Sequence, residues 1–507
     1  MAFSSFPDVF SWIQNLQWSK TNSNIDLCPS NSSQPSLKLS INTSNNSQCF
    51  SLSIYADYNL PINLWTSKQI SLIRSTSKKQ LSMDSHDDYS YTLLCIFIQD
   101  VLKYSSHKSQ YPSLNKLLPT RTAYNNSQTN NLRDIFNFSF LSLAFVVCIY
   151  EAPNDMRSSY LNILKDQFAC PESREASKVL MRLLGSNIEE QWMRSMNLAI
   201  TNWLYELQAT NIVLKMPSPL FTYSFSNFGL WKVQLYCPVI AMDVDKSSGT
   251  SRDDRLMFSL NYHQLEGVIQ LNYRVAVLEK WIEVMVNTDN IRCDVIKLLT
   301  DTLMNERGAG SSEKHFPSRI SLEITPITMQ SNVISISAGK SSENHPTEIG
   351  HEKGIEASFE PPTAIGLHFS ASETITTSVK PWRFEQSVYG NSANLNWFLH
   401  DRMDGREVFS SKPSKWALLH PKAWFKNRYS KARRPFTRRG GVIFAGDEYG
   451  ESVSWKVDRS CCIGGGGVME WEIKGWIWVT YWPNRHRTFY TETRRLEFRE
   501  VVHLTLV

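Results

Sequence analysis

The spacing of apolar residues changes partway along the chain, and this change predicts two kinds of structure. Between about residues 86 and 215, apolar side chains recur every three or four positions, which is the period of an amphipathic α-helix. From about residue 216 onward, alternate positions are apolar, as in strands with one buried face. The pattern predicts an α+β protein with an N-terminal helical bundle region, followed by a large antiparallel β-rich region that forms a sandwich or an open barrel.

The most apolar strand pattern lies at residues 468–482, VMEWEIKGWIWVTYW. Its odd positions form one nearly continuous apolar row, while its even positions begin charged and end in tryptophans. Alternate side chains of a strand point to opposite faces. The pattern predicts a central strand whose first half is buried on one face. The second half, with Trp476, Trp478 and Trp482, is expected to be covered on both faces.

The same patterns divide the chain into four regions and place one further helix inside the β-rich part. Residues from about 289 to 306 are expected to be helical, because Asp289 begins the segment and Gly308 follows it. A tight hairpin connection is expected at residues 263–267. The predicted regions are a Ser/Asn-rich amino-terminal segment with some strand structure at 1–85, the helical bundle region at 86–215, a β-meander with the helix at 216–315, and a sandwich-like region at 316–507 with a basic insertion at 408–446.

Two helices of the bundle region have clear end signals. Gly185 occupies a position where a helix C′ residue is expected, and Ser186 to Glu189 match a capping box that starts the next helix. The Met and Trp residues that follow at helical spacing are interpreted as core packing, with a ligand pocket as the alternative.

The apolar run 135–150 raises the question of a membrane span. Its sixteen residues are fewer than the ~20 that a spanning helix needs, and the basic flanking loops of a membrane anchor are missing. The run is therefore expected to form a buried central helix, and membrane insertion is the alternative.

Composition and cysteine usage indicate a folded protein of a reducing compartment. Hydrophobic residues make up 42% of the chain and charged residues 20%, as in soluble globular proteins. The nine cysteines include no C-x-x-C pair, so they are expected to be free thiols in an intracellular protein. Residues 1–17 lack the features of a secretory signal. The cytoplasm is the expected location. The nucleus is one alternative and the plastid another, because the Ser- and Asn-rich amino terminus is compatible with a transit peptide.

The net charge of +5 conceals one strongly basic segment. Residues 408–446 contain ten Lys or Arg and no Asp or Glu, interleaved with aromatic residues. Cations bind phosphates, and aromatic rings offer stacking surfaces for bases or anchors at a lipid interface. The segment therefore predicts a contact with nucleic acid or an anionic membrane surface, and a solvated loop docked by its aromatic residues is the alternative. The candidate contact residues are Lys422, Trp424, Lys426, Arg428, Tyr429, Lys431, Arg433, Arg434, Arg438 and Arg439.

A second group of cations follows the tryptophan-rich strand and enters the last one. Paired arginines suit bidentate recognition of phosphate or carboxylate groups. Cross-strand ion pairing with Glu492 and Glu497 is a sufficient structural explanation for the same residues. The candidate anion cluster consists of Arg485, His486, Arg487 and Arg494.

No motif of a known catalytic or metal site occurs in the sequence. G-x-S-x-G, H-E-x-x-H and the phosphate-binding glycine loops are missing. The acidic stretches around Asp401 and Asp447 are interpreted as turns. No catalytic residue, cofactor or metal site is therefore predicted.

Three blocks of the sequence resemble a family of land-plant proteins of unknown function, namely residues 174–203, 228–244 and 470–500. The resemblance covers most of the chain from about residue 130 onward. It implies no activity, cofactor or catalytic residue, and it favours a plant cell as the source.

These observations predict a non-enzymatic intracellular binding or scaffold protein whose partner is an unknown protein. One alternative is a protein that binds nucleic acid or anionic lipid through residues 412–439. Another is an unrecognised enzyme with an anion-binding site near His486, which would require that histidine and the neighbouring arginines to converge on a cleft.

Overall fold

The protein belongs to the α+β class, and its larger part is built from antiparallel sheets. The computed structural model describes residues 6–16, 22–28, 36–43, 49–57, 60–71, 85–105, 129–209, 220–244, 261–300, 302–303, 314–327, 332–339, 347–353, 373–379, 382–399, 442–445, 452–459, 468–482 and 492–505. The α+β class and the large antiparallel β-rich region predicted from the sequence are confirmed.

The chain divides into two compact units. The amino-terminal unit contains Met1–Pro219 together with Leu298–Thr300, and the β-rich unit contains Leu220–Lys297 together with Asp301–Val507. The change from helical to strand period near residue 216 therefore lies close to the change of unit.

The amino-terminal unit contains the six α-helices of the described residues. The predicted break between two helices is confirmed: one helix ends at Leu184, Gly185 takes a positive φ of 73°, and the next helix begins at Ser186. The hydrogen bonds of the capping box stay a prediction. The helices are α1 (Val9–Gln14), α2 (Ser85–Lys103), α3 (Thr129–Glu151), α4 (Asn154–Phe168), α5 (Pro171–Leu184) and α6 (Ser186–Ala209).

A five-stranded antiparallel sheet belongs to the same unit, in order β1-β2-β3-β4, with β5 beside β3. Alternate residues of its middle strand, Leu52, Ile54 and Ala56, are fully buried or nearly so. Trp65 links the sheet to the helices, because its Nε1 donates to Oδ2 of Asp100 in α2 at 2.9 Å. The strands are β1 (Asn22–Cys28), β2 (Ser36–Thr43), β3 (Cys49–Asp57), β4 (Ile62–Thr66) and β5 (Ile70–Ser71).

Helix α3 lies at the centre of the amino-terminal unit and contacts α1, α2, α4, α5 and α6. It has 23 residues, so the argument that this apolar run is too short to span a membrane is wrong. Leu132–Glu151 is the one helix of the described residues that is long and apolar enough to cross a membrane. Most of that stretch, 78%, is buried inside the protein, as expected for a core helix.

The described residues of the β-rich unit form two large antiparallel sheets and a separate two-stranded sheet, β13-β14. The first sheet has the order β12-β18-β10-β9-β7-β6, with β17 also paired to β10, and the second has the order β15-β16-β11-β19-β20-β8. The strands are β6 (Phe221–Asn227), β7 (Leu230–Pro238), β8 (Asp243–Val244), β9 (His263–Val277), β10 (Trp281–Lys297), β11 (Lys314–Pro326), β12 (Val333–Ala338), β13 (Thr347–Lys353), β14 (Glu373–Val379), β15 (Trp382–Tyr389), β16 (Ser392–Leu399), β17 (Val442–Ala445), β18 (Ser452–Asp458), β19 (Val468–Trp482) and β20 (Glu492–Thr505).

The two large sheets share one apolar core, to which the inward faces of β7, β9, β10, β11, β16, β18, β19 and β20 all contribute. Three tryptophans meet in it: Trp471 of β19 lies 5.6 Å from Trp231 of β7 and 4.8 Å from Trp455 of β18, between ring centroids. All three are almost completely buried. Each fully buried aromatic side chain of this size stabilises the fold by roughly 3 kcal/mol. The tryptophans therefore bind the two sheets to each other.

Side chains close the gap between β6 of the first sheet and β20 of the second. Oγ of Ser224 donates to the carbonyl oxygen of Val501 at 2.7 Å, and the N–H of His503 donates to Oγ of Ser226 at 2.9 Å. Nε1 of Trp231 donates to the carbonyl oxygen of His503 at 3.0 Å. These bonds take up backbone groups at the edge of β20, and we call this contact the β6–β20 seam.

The predicted helix at about 289–306 is wrong, because residues up to Lys297 continue strand β10. The register of β10 against β9 shifts between Thr288 and Asn290, so Asp289 forms a bulge. An Asp before an apolar run is also the signal for a helix start, which explains the mistake. These residues form a strand and not a helix because their apolar side chains alternate, so that Ile291, Cys293 and Val295 are all buried on one face.

The predicted hairpin at 263–267 is also wrong, because these residues begin the continuous strand β9. Strand β9 turns into β10 at 278–280, where the N–H of Leu278 donates to the carbonyl oxygen of Trp281. Gly267 serves close packing and not a turn, since a Cβ there would lie 2.8 Å from the side chain of Leu235.

The strand at 468–482 has the predicted bounds as β19, with β11 and β20 as its neighbours. Its odd positions from Met469 to Val479 face the core. Trp476 and Trp478 on the other face are only half-buried. The expectation that the second half is covered on both faces is therefore wrong for these two side chains.

Candidate functional site

Two histidines meet at one end of the core that the large sheets share. His263 is the first residue of β9, and His315 is the second residue of β11. Strand alternation places His263 on the same face as the core residues Leu265 and Ile269. The ring centroids are 5.4 Å apart and the ring planes make an angle of 71°, so the contact is edge to face.

Glutamate and arginine side chains of β20 complete this group. Glu492 and Arg494 lie two residues apart and therefore on the same face of the strand. Nε of Arg494 donates to Oε1 of Glu492, and Nη1 donates to the carbonyl oxygen of Val239 at 2.7 Å. Arg494 is also near enough to His315 to affect its pKa. We call His263, His315, Glu492 and Arg494 the core-end cluster.

Burial determines what the core-end cluster can do chemically. His315 has none of its surface exposed, His263 1%, Glu492 2% and Arg494 4%. Burial lowers the pKa of His315 well below its usual value, and the nearby His263 and Arg494 lower it further. His315 is therefore neutral near pH 7. A neutral imidazole can accept a proton, but a substrate in solution does not reach a side chain buried to this extent.

A second polar group lies on the opposite face of the first sheet. Tyr236, Glu266 and Asp294 occupy one row across β7, β9 and β10, and all three are buried. Gln264 donates to Glu266 at 2.9 Å, and Arg292 donates to Asp294 at 2.5 Å. Within the part of the chain that the structure describes, no three or more His, Cys, Asp or Glu side chains are grouped so that they could hold a metal ion.

The outward face of the second sheet carries a row of alternating rings and cations. Phe398, Arg319, Trp478 and Arg495 are direct neighbours across β16, β11, β19 and β20. The guanidinium carbon of Arg319 lies 4.6 Å from the ring centroid of Phe398 and 4.3 Å from that of Trp478. Arg319 therefore makes a cation–π contact on each side. We call these four residues the aromatic–arginine row.

Ordinary ion pairs occupy the next part of the same face. Arg499 of β20 donates to Glu472 of β19, and Nζ of Lys474 lies 3.5 Å from Oε1 of Glu497. Cross-strand pairing between these two strands therefore occurs, although Glu492 pairs within β20 and not across it. Such exposed pairs contribute little stability, typically below about 1 kcal/mol each.

The candidate contacts of the basic segment, from Lys422 to Arg439, lie outside the described residues. The strands on either side of the segment are described. Leu399 ends β16 one residue after Phe398, which pairs with Arg319, and Val442 begins β17 opposite Cys293. Leu399 is near His315, because its neighbour Phe398 pairs with Arg319, which lies four residues after His315 on β11. Val442 is near His263, because it pairs with Cys293, and Cys293 pairs with Gly267, four residues after His263 on β9. The two described strands that flank the basic segment therefore end and begin at this end of the unit.

Of the candidate anion cluster, only Arg494 is among the described residues. It belongs to the core-end cluster, where its guanidinium group contacts Glu492 and Val239 inside the unit. Arg485, His486 and Arg487 lie between Trp482 and Glu492, outside the described residues, so their convergence on a cleft stays a prediction.

Sequence reasoning did not single out His263, His315, Arg319 or Phe398. A strand pattern places each of them on a face, but only the register between strands brings them together. Arg319 and Trp478 are far apart in sequence and become neighbours because β11 pairs with β19. A bulge between Pro317 and Arg319 also shifts that register by one residue, which no local pattern indicates.

No protein-family model and no curated protein sequence matches the chain. The solved structures that match the chain include two bacterial toxins, both distantly similar. Clostridium perfringens delta-toxin is 10% identical, with a TM-score of 0.24 over 56% of this chain and 96% of that chain. The Clostridium perfringens NetB toxin in its membrane-inserted form is 8% identical, with a TM-score of 0.22 over 52% of this chain and 98% of that chain. At these scores neither similarity carries an argument about fold or function.

Proposed function

We propose that this protein works by binding a partner and not by catalysing a reaction. The burial of the core-end cluster supports this proposal. Catalytic groups must contact the substrate, whereas the four side chains of the core-end cluster are buried, and Arg494 is bonded to Glu492 and Val239 inside the unit. The surface of the unit is then the part that meets other molecules.

Co-purification of partners with the tagged full chain tests the binding proposal. We expect a partner to be retained in stoichiometric amount by the wild type and by His263→Gln and His315→Gln. These variants remove the only described histidines of the cluster and leave the surface unchanged. The opposite result is that the histidine variants stay folded and keep every partner but no longer perform the cellular role of the protein. That result would contradict the binding proposal and favour an enzyme.

A second proposal concerns a polyanionic partner, either a nucleic acid or an anionic membrane, bound through residues 412–439. The charge pattern supports it, because residues 408–446 contain ten cations and no acid on a chain whose remaining net charge is about −5. The described strands on either side of this segment, which end at Leu399 and begin at Val442, lie at the same end of the β-rich unit.

Charge removal at matched positions tests the polyanion proposal. Replacing Lys426, Arg428, Arg433 and Arg434 by Gln is expected to abolish binding to a labelled oligonucleotide or to phosphatidylserine vesicles. The control replaces the exposed cations Arg274, Lys280, Arg459 and Arg499 of the same unit by Gln, which removes the same charge from described strands and turns. Equal loss in both variants would mean that only net charge matters, and that no particular segment is the contact.

The location of the protein is likewise proposed to be intracellular and reducing. All seven cysteines of the described residues are free thiols, and five of them are buried. Burial raises the pKa of the Cys28 and Cys237 thiols to about 12, so these groups stay protonated and unreactive. A fluorescent fusion that enters the secretory pathway would overturn this proposal.

We also propose that the helices act as a bundle and that the two large sheets act as one sandwich-like module. Helix α3 contacts every other helix of its unit, and the sheets share a single core with the β6–β20 seam on one side. Limited proteolysis of the full chain is expected to give two resistant fragments that correspond to the two units.

A further inference from the structure

We infer that the first large sheet binds an extended segment of another protein as an added β-strand, beside residues 274–277 of β9. We call the open side of β9 at these residues the β9 notch. The inference rests on the proposed binding function and names the chemical class of the partner. It uses described residues of the β-rich unit and does not require the basic segment.

Unequal strand lengths create the β9 notch. Strand β7 is the neighbour of β9, and the last pair of their ladder joins Leu230 to Asn272. Strand β9 continues from Asn272 to Val277, which is about 17 Å of extended chain. On its other side this stretch stays paired with β10. Among the strands that the structure describes, none pairs with residues 274–277 on the side of β7.

Backbone groups of two valines point into the β9 notch. The N–H of Tyr273 donates to the carbonyl oxygen of Gly229 at 2.9 Å, which shows that odd residues of β9 direct their backbone groups towards the side of β7. Backbone groups of successive strand residues point to opposite sides. Val275 and Val277 therefore each offer one N–H and one C=O to an added strand. Strand addition uses such groups for affinity.

The foot of the β9 notch is already ordered. Oη of Tyr273 donates to the carbonyl oxygen of Asn227 at 3.0 Å, so its side chain and its backbone both hold the turn between β6 and β7. Phe228 lies in that turn and has 77% of its surface exposed. An added strand therefore ends against a fixed turn that carries one open ring. A surface that is ordered before binding reduces the entropy lost on association.

The core-facing side of the β9 notch favours apolar residues in the added strand. Val275 packs against the core that the two large sheets share, whereas Val277 is 55% exposed. Alternate side chains of an added strand lie beside these two valines. Apolar side chains at those positions would remove Val277 from water and extend the core. The partner segment is therefore expected to be apolar at every second position.

The outward side of β9 favours one acidic residue in the added strand. Arg274 and Ala276 are the outward side chains next to the β9 notch, and both are exposed. Within the part of the chain that the structure describes, Arg274 makes no ion pair. Glu283 is one strand farther away on β10 and lies opposite Lys456 of β18. The remaining ionisable groups nearby are two acids and two cations, namely Glu279, Lys280, Asp289 and Lys232. An acid opposite Arg274 would form a cross-strand ion pair.

A second copy of this chain does not fit the β9 notch in the register that uses both valines. Antiparallel pairing of two copies bonds Val275 and Val277 of each only when Ala276 lies opposite Ala276. That register places Glu279 of one copy beside Tyr273 of the other, where Gly229 already lies. The occupant is therefore a segment of a different protein.

Panning of a phage-displayed library of random dodecapeptides on the immobilised full chain tests the inference. We expect the enriched peptides to alternate apolar with polar residues and to carry an acid at one polar position. The most enriched peptide is then labelled with fluorescein, and fluorescence anisotropy measures its affinity for the wild type and the variants.

Val277→Pro is the decisive variant, because proline removes an N–H that points into the β9 notch and breaks no bond to β10. It is expected to weaken peptide binding by about tenfold. Val277→Thr is the matched control, since it keeps the N–H and the branched shape, and it should retain most of the affinity. Thermal unfolding shows whether each variant is folded.

Hydrogen exchange of the wild type gives a second test that needs no variant. Saturation with the enriched peptide should slow amide exchange at residues 274–278 and leave exchange in the helices α2 to α6 unchanged. Unchanged exchange at residues 274–278 would contradict the inference even if Val277→Pro does not fold.

Arg274→Gln tests the charge argument. It is expected to weaken binding of an acidic peptide by about two- to fivefold, as for an exposed ion pair. Lys280→Gln is its control, because Lys280 is an exposed cation in the turn of the same hairpin and lies beyond the end of β9. That control should bind like the wild type.

Four outcomes overturn the inference. The first is failure to enrich any alternating peptide, and the second is equal affinity of the wild type and Val277→Pro. The third is slow exchange at residues 274–278 without peptide, which means that a segment of this chain already fills the β9 notch. The fourth is a wild-type dimer, seen by sedimentation, that Val277→Pro converts to a monomer. A natural partner that co-purifies equally with the wild type and Val277→Pro also overturns it, but leaves the binding proposal intact.

Discussion

A single glycine interrupts the apolar row of β19, and the structure explains why. Gly475 pairs with Phe498 of β20, whose ring lies over the glycine so closely that a Cβ would collide with it. Gly475→Ala is therefore expected to destabilise the β-rich unit by about 1–3 kcal/mol, the usual cost of overpacking a core. Denaturant unfolding measures the loss.

A double-mutant cycle distinguishes this clash from a general effect of alanine. Phe498→Leu shortens the side chain above Gly475, so Gly475→Ala should cost less in the Leu background than in the wild type. Strict additivity of the two changes would show that the ring of Phe498 is not the cause.

The neutral His315 should make stability depend on pH. Its pKa is lowered well below 6.5 by burial, by His263 and by Arg494, whereas the unfolded chain binds a proton near pH 6.5. Below that pH the unfolded state holds more protons than the folded state, so stability falls as pH falls, by up to about 1.4 kcal/mol per pH unit.

Unfolding measured between pH 7 and pH 5 checks this expectation. His315→Gln, which cannot titrate, should lose most of that slope even if it is less stable at every pH. Glu492→Gln leaves both histidines of the cluster in place, so it serves as the comparison and should keep the slope that His315 causes. An unchanged slope in His315→Gln would refute the account.

At the scale of elements, helix α1 depends on one carboxylate. Burial alone raises the pKa of Asp8, but hydrogen bonds from Ser11, Asn137 and Arg133 outweigh it and lower the pKa to about 2. Asp8 thus caps α1 and ties it to α3, through Asn137 and Arg133. Asp8→Asn is expected to lower the stability of the amino-terminal unit by about 1 kcal/mol at pH 7.

The sign of the pH effect follows from the lowered pKa. The ionised carboxylate stabilises the folded state above pH ~4, and this stabilisation is lost as pH falls towards 2. The difference between wild type and Asp8→Asn, measured by chemical denaturation, should therefore shrink between pH 4 and pH 2. If the difference in stability between wild type and Asp8→Asn stays constant from pH 4 to pH 2, the charge of Asp8 is not its cause. The altered side-chain geometry of Asn would then explain it.

Individual elements were predictable from the sequence where one signal dominated. The alternation of β19 was strong enough to give its bounds, and Gly185 with Ser186 marked the join between α5 and α6. The second half of strand β10, up to Lys297, was mistaken for a helix because a bulge at Asp289 imitates a helix start. The candidate site was less predictable, since the core-end cluster and the aromatic–arginine row both depend on register between strands that are distant in sequence.

At the scale of the whole molecule, each unit has its own buried core. The amino-terminal unit is packed around α3, and the β-rich unit around the residues shared by its two large sheets. Gly475→Ala is therefore expected to accelerate amide hydrogen exchange in the strands of the β-rich unit while leaving α2 to α6 unchanged. Exchange measured by mass spectrometry checks this, and equal acceleration in both units would mean that they unfold as one.

The β6–β20 seam has a consequence for the behaviour of the protein at high concentration. Strand edges with bare amide and carbonyl groups recruit strands of other molecules and lead to fibrils. Hydroxyl groups of Ser224 and Ser226 and the indole of Trp231 take up the edge groups of Val501 and His503 before a foreign strand can do so. The β6–β20 seam thereby protects this strand edge from pairing with other molecules, although the two sheets are not joined there by a continuous backbone ladder.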